Sequence, residues 1–273
     1  MRFSLVIVVL ALALCPACAY AQLIGEAEDE SRFYAQSKQV NQFFRRFNGE
    51  EDEKGNRYYA GNKHYRNAKL RKKYLGILFD ENNRGLDKLK KEFAEGAIDK
   101  PLFLDLHDEG WFAAVRVRFH LNGVDFPATL FLALEKNHLG YKWVIRRAYS
   151  EKLDPTFIRD TTRVGRFIHP MSHELDFMNL RKTFSSSDSV SQFAARDFIP
   201  DHLTVLLYEL KRGALKFNYV EEVKFHFFQV TGWYFELSNF NRPGYNTGWL
   251  ISNLVKLNSE ADKKIMEKYL YHD

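Results

Sequence analysis

The hydrophobic period of the chain changes at Pro101. Before it, apolar residues return every three or four positions; after it, they alternate. Phe33, Val40, Phe43, Phe44 and Phe47 recur at helical spacing, and Asn48-Gly49 closes the run. A polar loop from Glu50 to Asn62 leads to a second helix carrying Leu70, Tyr74, Ile77 and Leu78. A third begins near Arg84, buries Leu86, Leu89 and Phe93, and is expected to stop at Gly96 in a left-handed cap. Beyond Pro101, "LFLDLHD" (102–108), "WFAAVRVRFHL" (111–121), "DFPATLFLALEK" (125–136) and "YKWVIRRAYS" (141–150) read as four strands, with Asn122-Gly123 a hairpin turn. Helices segregated from an antiparallel meander indicate an α+β fold with helices packed on a curved sheet, and not a parallel βαβ arrangement.

The same order returns in the second half. Residues 151–170, with Pro155 and Pro170, read as a connection. Leu175, Met178, Leu180 and Phe184 suggest a helix that "SSSDS" (185–189) breaks, and Val190, Phe193, Ala194 and Phe198 suggest another. A third uses Leu203, Leu206, Leu207 and Leu210 and ends at Gly213; strands come next over 219–230, 232–240 and 247–257, then a short helix over 260–270. The two third helices align without a gap: "LDKLKKEFAEGAI" (86–98) lies over "LTVLLYELKRGAL" (203–215), pairing Leu86 with Leu203, Leu89 with Leu206, Phe93 with Leu210 and Gly96 with Gly213. The pattern predicts a first domain over 22–150, a connection over 151–170 and a shorter second copy over 171–273.

The N-terminus reads as an address. Met1-Arg2 followed by the apolar run Phe3 to Leu14 has the form of a secretory signal peptide, too short to span a bilayer as a helix. Ala19-Tyr20-Ala21 is a small-x-small site, so cleavage is expected between Ala21 and Gln22, with delivery to the periplasm or the extracellular space. Cys15 and Cys18 are the chain's two cysteines, and their C-P-A-C spacing invites a redox reading. A redox pair needs a thiolate at a helix start on a folded unit, and both residues fall in the segment to be removed. Lipid attachment at Cys18 is the weaker alternative, because position −3 holds Cys15 where a leucine is usual.

Three helices followed by a curved four-stranded sheet, ending in "GYKWVIRRA" (140–148), resemble the NTF2-like (cystatin-like cone) superfamily. Residues 31–150 carry the resemblance, and residues 171–258 repeat it in shorter form. The resemblance implies a cone whose helices close over a concave sheet, with a pocket at the open end. That superfamily hosts isomerases, dehydratases, epoxide hydrolases and non-enzymatic binding or scaffold proteins, and a fold does not choose among them.

Isomerase-type chemistry needs a carboxylate base in an apolar pocket opposed by a donor. Asp105 and His107 share one face of a strand and are the candidates, against the competing reading that Leu102, Leu104 and Leu106 face the core and this pair faces solvent. Arg116, Arg118 and His120 form a cationic strand face, an anion-binding wall if it lines the cone and a solvated surface if it does not. Trp233, Tyr245 and Trp249 lie in the most aromatic stretch, where they could stack on a sugar ring or a peptide, or simply pack. His169 and His173, with Glu174, suggest a metal site, but Pro170 disfavours helix at His169 and Ser172 suits a helix cap, so no metal is assigned. No HExxH, GxSxG, GxGxxG or P-loop pattern occurs, and no cofactor is expected.

The net charge of +5 is local in origin. Lys63, Arg66, Lys69, Arg71, Lys72 and Lys73 occur with no acid among them, and outside the cytosol their natural partners are anionic lipids, wall polymers or acidic proteins and not nucleic acid. The competing reading is a solvated face balanced by Glu50, Glu51, Asp52 and Glu53. Together these features favour an exported, non-catalytic binding or assembly module of the cell envelope that meets a protein or small ligand. The alternatives are a cofactor-free isomerase or dehydratase, and a binder of anionic envelope lipid or polymer, in peripheral contact with a membrane surface, through the 63–73 run.

Overall fold

A computed structural model describes residues 40–52, 54–100, 102–154, 201–243 and 246–273. The predicted signal segment, Cys15, Cys18, His169, His173, Tyr245, most of the 151–170 connection and the helices expected over 171–200 lie outside the described residues. Among the described residues the protein is α+β, with helical backbone over 40–48 (α1), Ala68–Ile77 (α2), Asp87–Asp99 (α3), His202–Lys211 (α4) and Glu260–Tyr271 (α5). The strands are β1 (Trp111–Leu121), β2 (Val124–Asn137), β3 (Gly140–Tyr149), β4 (Leu215–Phe227), β5 (Trp233–Phe240) and β6 (Gly248–Lys256). No helix among the described residues is long and apolar enough to cross a membrane.

The chain forms two compact units, each drawing on both halves of the sequence. The described residues up to Asp108 join Phe227–Leu257 in unit 1, and those of Glu109–His226 join Asn258–Asp273 in unit 2.

In unit 1, α1 buries Val40, Phe43, Phe44 and Phe47, as its spacing predicts, and Gly49 ends it at φ +71°. A Cβ on Gly49 would also come within 2.7 Å of the Arg71 side chain, so a glycine is required twice over. The α2 helix starts at Asn67, whose side chain accepts from the Lys69 and Leu70 N–H groups. Its buried stripe is Arg71, Tyr74 and Leu75. Ile77, expected in the core, is 42% exposed. The α3 helix runs straight through Gly96 to Asp99, and Gly96 is not in the left-handed region, so the predicted cap is absent. Gly213, its aligned partner, does end α4, at φ +76°. The alignment of the two third helices therefore pairs a helix-interior glycine with a helix-ending one.

The β5 and β6 strands pair antiparallel, with a register shift at Glu236/Leu237. Phe79 bridges to Ile251 of β6. The interior is aromatic. The Phe227 and Phe235 rings stack at 4.7 Å, Phe93 stands edge-on to Phe235 at 5.7 Å and to Trp233 at 5.4 Å, and Phe43 and Phe47 close over Phe235, both at 6.3 Å.

The segment 102–108, expected as a strand, is not one. Its backbone groups are met by side-chain amides instead. Asn48 Nδ2 donates to Leu104 O (2.9 Å) and Leu104 N–H donates to Asn48 Oδ1 (2.8 Å). Gln229 does the same for Asp105, accepting from its N–H at 3.1 Å and donating to its carbonyl at 2.6 Å. Two amide side chains thus stand where a neighbouring strand would be.

In unit 2 the strand order is β3-β2-β1-β4. The β1–β2 and β2–β3 hairpins are antiparallel. Asn122 and Gly123 turn the first with φ of 52° and 82°, the two positive values a type I′ turn needs. Trp111 meets Phe225 and Phe119 meets Phe217, so β4 also runs antiparallel to β1. Val115, Val117 and Phe119 are buried on one face while Arg116 is exposed on the other, as the alternation predicts. Near Ala114 that second face is covered by the end of α5. Tyr271 stacks on Phe112 at 4.8 Å and stands edge-on to Phe131 at 4.9 Å, Arg147 pairs with Asp273, and His272 stacks on Tyr149 at 4.0 Å.

Candidate functional site

Asp105 and His107 sit on a turn, half exposed or more, and the Asp105 carboxylate accepts from the His107 N–H at 2.9 Å. Their imidazole and carboxylate stand 3.8 Å apart. This is a side-chain–backbone turn at the surface, whereas a catalytic base needs an apolar enclosure.

The cationic face of β1 brings its own anions. Arg116 Nε donates to Glu221 Oε2 at 3.0 Å and Arg118 Nε to Glu221 Oε1 at 2.8 Å, so one β4 carboxylate receives both guanidinium groups. Partial burial raises the Glu221 carboxyl pKa, but hydrogen bonds and charge from Arg118 and Arg116 outweigh it and hold the pKa below the ordinary value. His120 is paired with Asp125, its cross-strand neighbour, and the hydrogen bond from His120 is the main cause of the lowered Asp125 pKa. Trp233 is buried edge-on against Phe93, and Trp249 is buried as well. Both belong to the core, which leaves neither ring face open for stacking.

The basic run divides in two. Arg71, predicted at the surface, is 2% exposed. Its guanidinium donates to Phe47 O (3.2 Å), Ala97 O (3.1 Å) and Leu102 O. The first two carbonyls lie at the C-terminal ends of α1 and α3, where unpaired carbonyls and the negative end of the helix dipole both favour a cation. Desolvation, then the nearby Arg66 charge, lower its pKa. Arg66 is also engaged, with Glu50 at 2.8 Å and over the Phe103 ring at 4.1 Å. Lys63, Lys69, Lys72 and Lys73 are exposed.

Of the acids expected to balance the run, Glu50 does pair with Arg66, whereas Glu51 and Asp52 are used elsewhere. Glu51 is fully buried (0% exposed) and accepts from Arg45 Nε at 2.7 Å, Gln42 Nε2 at 2.9 Å and Arg46 Nε at 3.3 Å. Asp52 accepts from the Asn56 side chain and from the Lys54 and Asn56 N–H groups. Glu53 lies outside the described residues.

Sequence reasoning missed Asn48, Glu51, Arg71 and His226 as interior groups, and Gln229 as the partner of the Asp105 backbone. His226 is buried, its ring stacked on Phe112 at 4.9 Å. In sequence each of these looks like an ordinary surface polar residue. Only the Asn48-Gly49 helix ending hinted that Asn48 sits at a junction.

Among the described residues no group of three or more histidine, cysteine or acidic side chains could hold a metal ion. No protein-family model, no curated protein and no solved structure matches the chain.

Proposed function

We propose that this chain is an exported, non-catalytic binding or assembly module of the cell envelope, built on an NTF2-like plan. The observation that carries the reading is the aromatic filling of unit 1. In a cone used for catalysis, the space between the helices and the sheet holds the substrate. Here Phe43, Phe47, Phe93, Phe227 and Phe235 pack ring against ring between α1, α3 and β5, at separations of 4.7 to 6.3 Å. Two further observations agree: the candidate acid–base pair lies on an exposed turn, and unit 2 displays large apolar side chains, among them Phe217, Tyr219, Val220, Ile265 and Tyr269. The helix-then-strand order of both halves supports the NTF2-like plan, and the signal-like N-terminus supports export.

Native mass spectrometry of the protein recovered from its host's envelope fraction tests the reading. A chain beginning at Gln22, held in a larger complex without a stoichiometric small molecule, is the expected result. A solitary chain carrying one small molecule per copy would overturn it in favour of a ligand-processing cone.

A further inference from the structure

The outward face of α2 is a stripe of exposed positive charge. From Lys54 to Phe79 the chain contains no aspartate or glutamate. Within α2, positions 69, 72, 73, 76 and 77 fall on one stripe at 3.6 residues per turn, opposite the buried Arg71, Tyr74 and Leu75. That stripe reads Lys69, Lys72, Lys73, Gly76 and Ile77, all exposed.

Three observations give the stripe a direction. First, Lys69 stands in the first turn of a helix that has no acid there, with Lys72 and Lys73 one turn further on, so Lys69 adds to the positive end of the helix dipole. Cations there oppose helix stability, and such local conflicts mark places where a sequence serves something other than folding. Second, of the described acids that border the stretch, Glu50 pairs with Arg66, Glu51 with Arg45 and Arg46, and Asp80 with Arg242 at 2.6 Å, while Asp52 accepts from Asn56 and from the Lys54 N–H. Third, the arginines near the stripe are engaged by internal carbonyls, a carboxylate and rings, whereas the exposed cations of the stripe are all lysines. A guanidinium fork fits one carboxylate or phosphate in fixed geometry; ammonium groups on flexible stems act as point charges, suited to a surface of mobile anions. Ile77, exposed at the far end of the stripe, can enter the headgroup layer beside them.

We propose that this face docks the protein on an anionic lipid surface. The proposal is independent of which protein or ligand the module binds, since that partner belongs to the experiment on the native complex.

The test uses the full chain and vesicles of phosphatidylcholine with or without 30% phosphatidylglycerol, at about 0.1 M salt. The quantity read is the ratio of anionic to neutral partitioning, from which any purely apolar contribution cancels. The expected ratio is well above one, falls at least about tenfold in Lys69→Gln/Lys72→Gln/Lys73→Gln, and barely changes in the charge-matched control Lys216→Gln/Lys264→Gln/Lys268→Gln. The thermal midpoint of the α2 variant should equal or exceed that of the parent, whereas a structural role for these lysines would lower it. Equal partitioning to both vesicle types, or equal losses in the two triple variants, would overturn the proposal. Binding of the same face to soluble polyglutamate or duplex DNA, under conditions where vesicles are not bound, would assign it to another polyanion and also overturn the lipid assignment.

Discussion

His226 lies in β4 with its ring stacked on Phe112, and only 4% of the residue is exposed. Burial, aided by the positive charge of Lys224, lowers its pKa from the ordinary 6.5 to about 3. The folded protein therefore holds a neutral imidazole at pH values where the unfolded chain is already protonated. The stability this represents is fully present above pH 6.5, is lost steadily as the pH falls below it, and stops falling near pH 3, when the folded form takes up the proton too. Between pH 7 and pH 5 the loss attributable to this one group is about 2 kcal/mol, and by pH 4 about 3 kcal/mol. The upper part of that window isolates the histidine, because the carboxylates with lowered pKa, Asp125 and Glu221 among them, lose their contributions only at lower pH. Urea unfolding followed by tryptophan emission reports on the same unit through Trp111 and Trp143. The parent should lose about 2 kcal/mol more between pH 7 and 5 than His226→Gln or His226→Phe, whatever those substitutions cost at pH 7. If the parent and both variants lose stability equally over that interval, or the His226 ring signals titrate near 6.5 in the folded state, the imidazole is not held neutral and the argument fails.

Four other substitutions probe the interior polar groups and the aligned glycines. Glu51→Ala leaves the Arg45 and Arg46 guanidiniums without their shared carboxylate, and should lower the unfolding free energy by about 3 kcal/mol or more in urea titrations. Asn48→Ala strips the buried Leu104 backbone of a donor and an acceptor; a loss of about 2 kcal/mol is expected, with faster amide exchange confined at first to residues 102–105. Gly96→Ala should raise the thermal midpoint, by about 0.5–1 kcal/mol in stability, since an added Cβ meets nothing within 4 Å and the residue is helical. Gly213→Ala, at φ +76°, should lower it by about 1 kcal/mol, and calorimetry on the two variants would show opposite signs.

The three strands from Trp111 to Tyr149 were legible to within a residue: β1 and the first part of β2 bury one face, and the chain turns at residues that favour positive φ. Alternation reports that environment directly. The same signal misleads at 102–108. There the leucines alternate and Leu104 is buried, yet a strand also requires a backbone partner. The partners are side chains 56 and 124 residues away in sequence, Asn48 and Gln229. Nothing local to "LFLDLHD" announces that its hydrogen bonds will be met by amides. The aligned third helices fail for a related reason. A glycine after a helical stripe is compatible with ending a helix or with lying inside one, and the residues beyond it decide. Lys100 and Pro101 leave α3 free to run on to Asp99, whereas β4 begins two residues after Gly213.

The candidate site shows how far charge can be read from sequence. That residues 63–73 are cationic was plain; which cations face outward was not, because that depends on carbonyls gathered from three distant places. The ends of α1 and α3 and the Leu102 carbonyl converge on one point in unit 1 and need a long, branched donor. Arg71 meets that need, and Lys at the same position could reach one carbonyl but not fork among three. Its neighbours Lys69, Lys72 and Lys73 lie on the exposed side of the same helix, away from that convergence. A run that looks uniform in sequence is thus split by side-chain chemistry. The guanidinium closes the interior, and the ammonium groups lie on the exposed side of the helix.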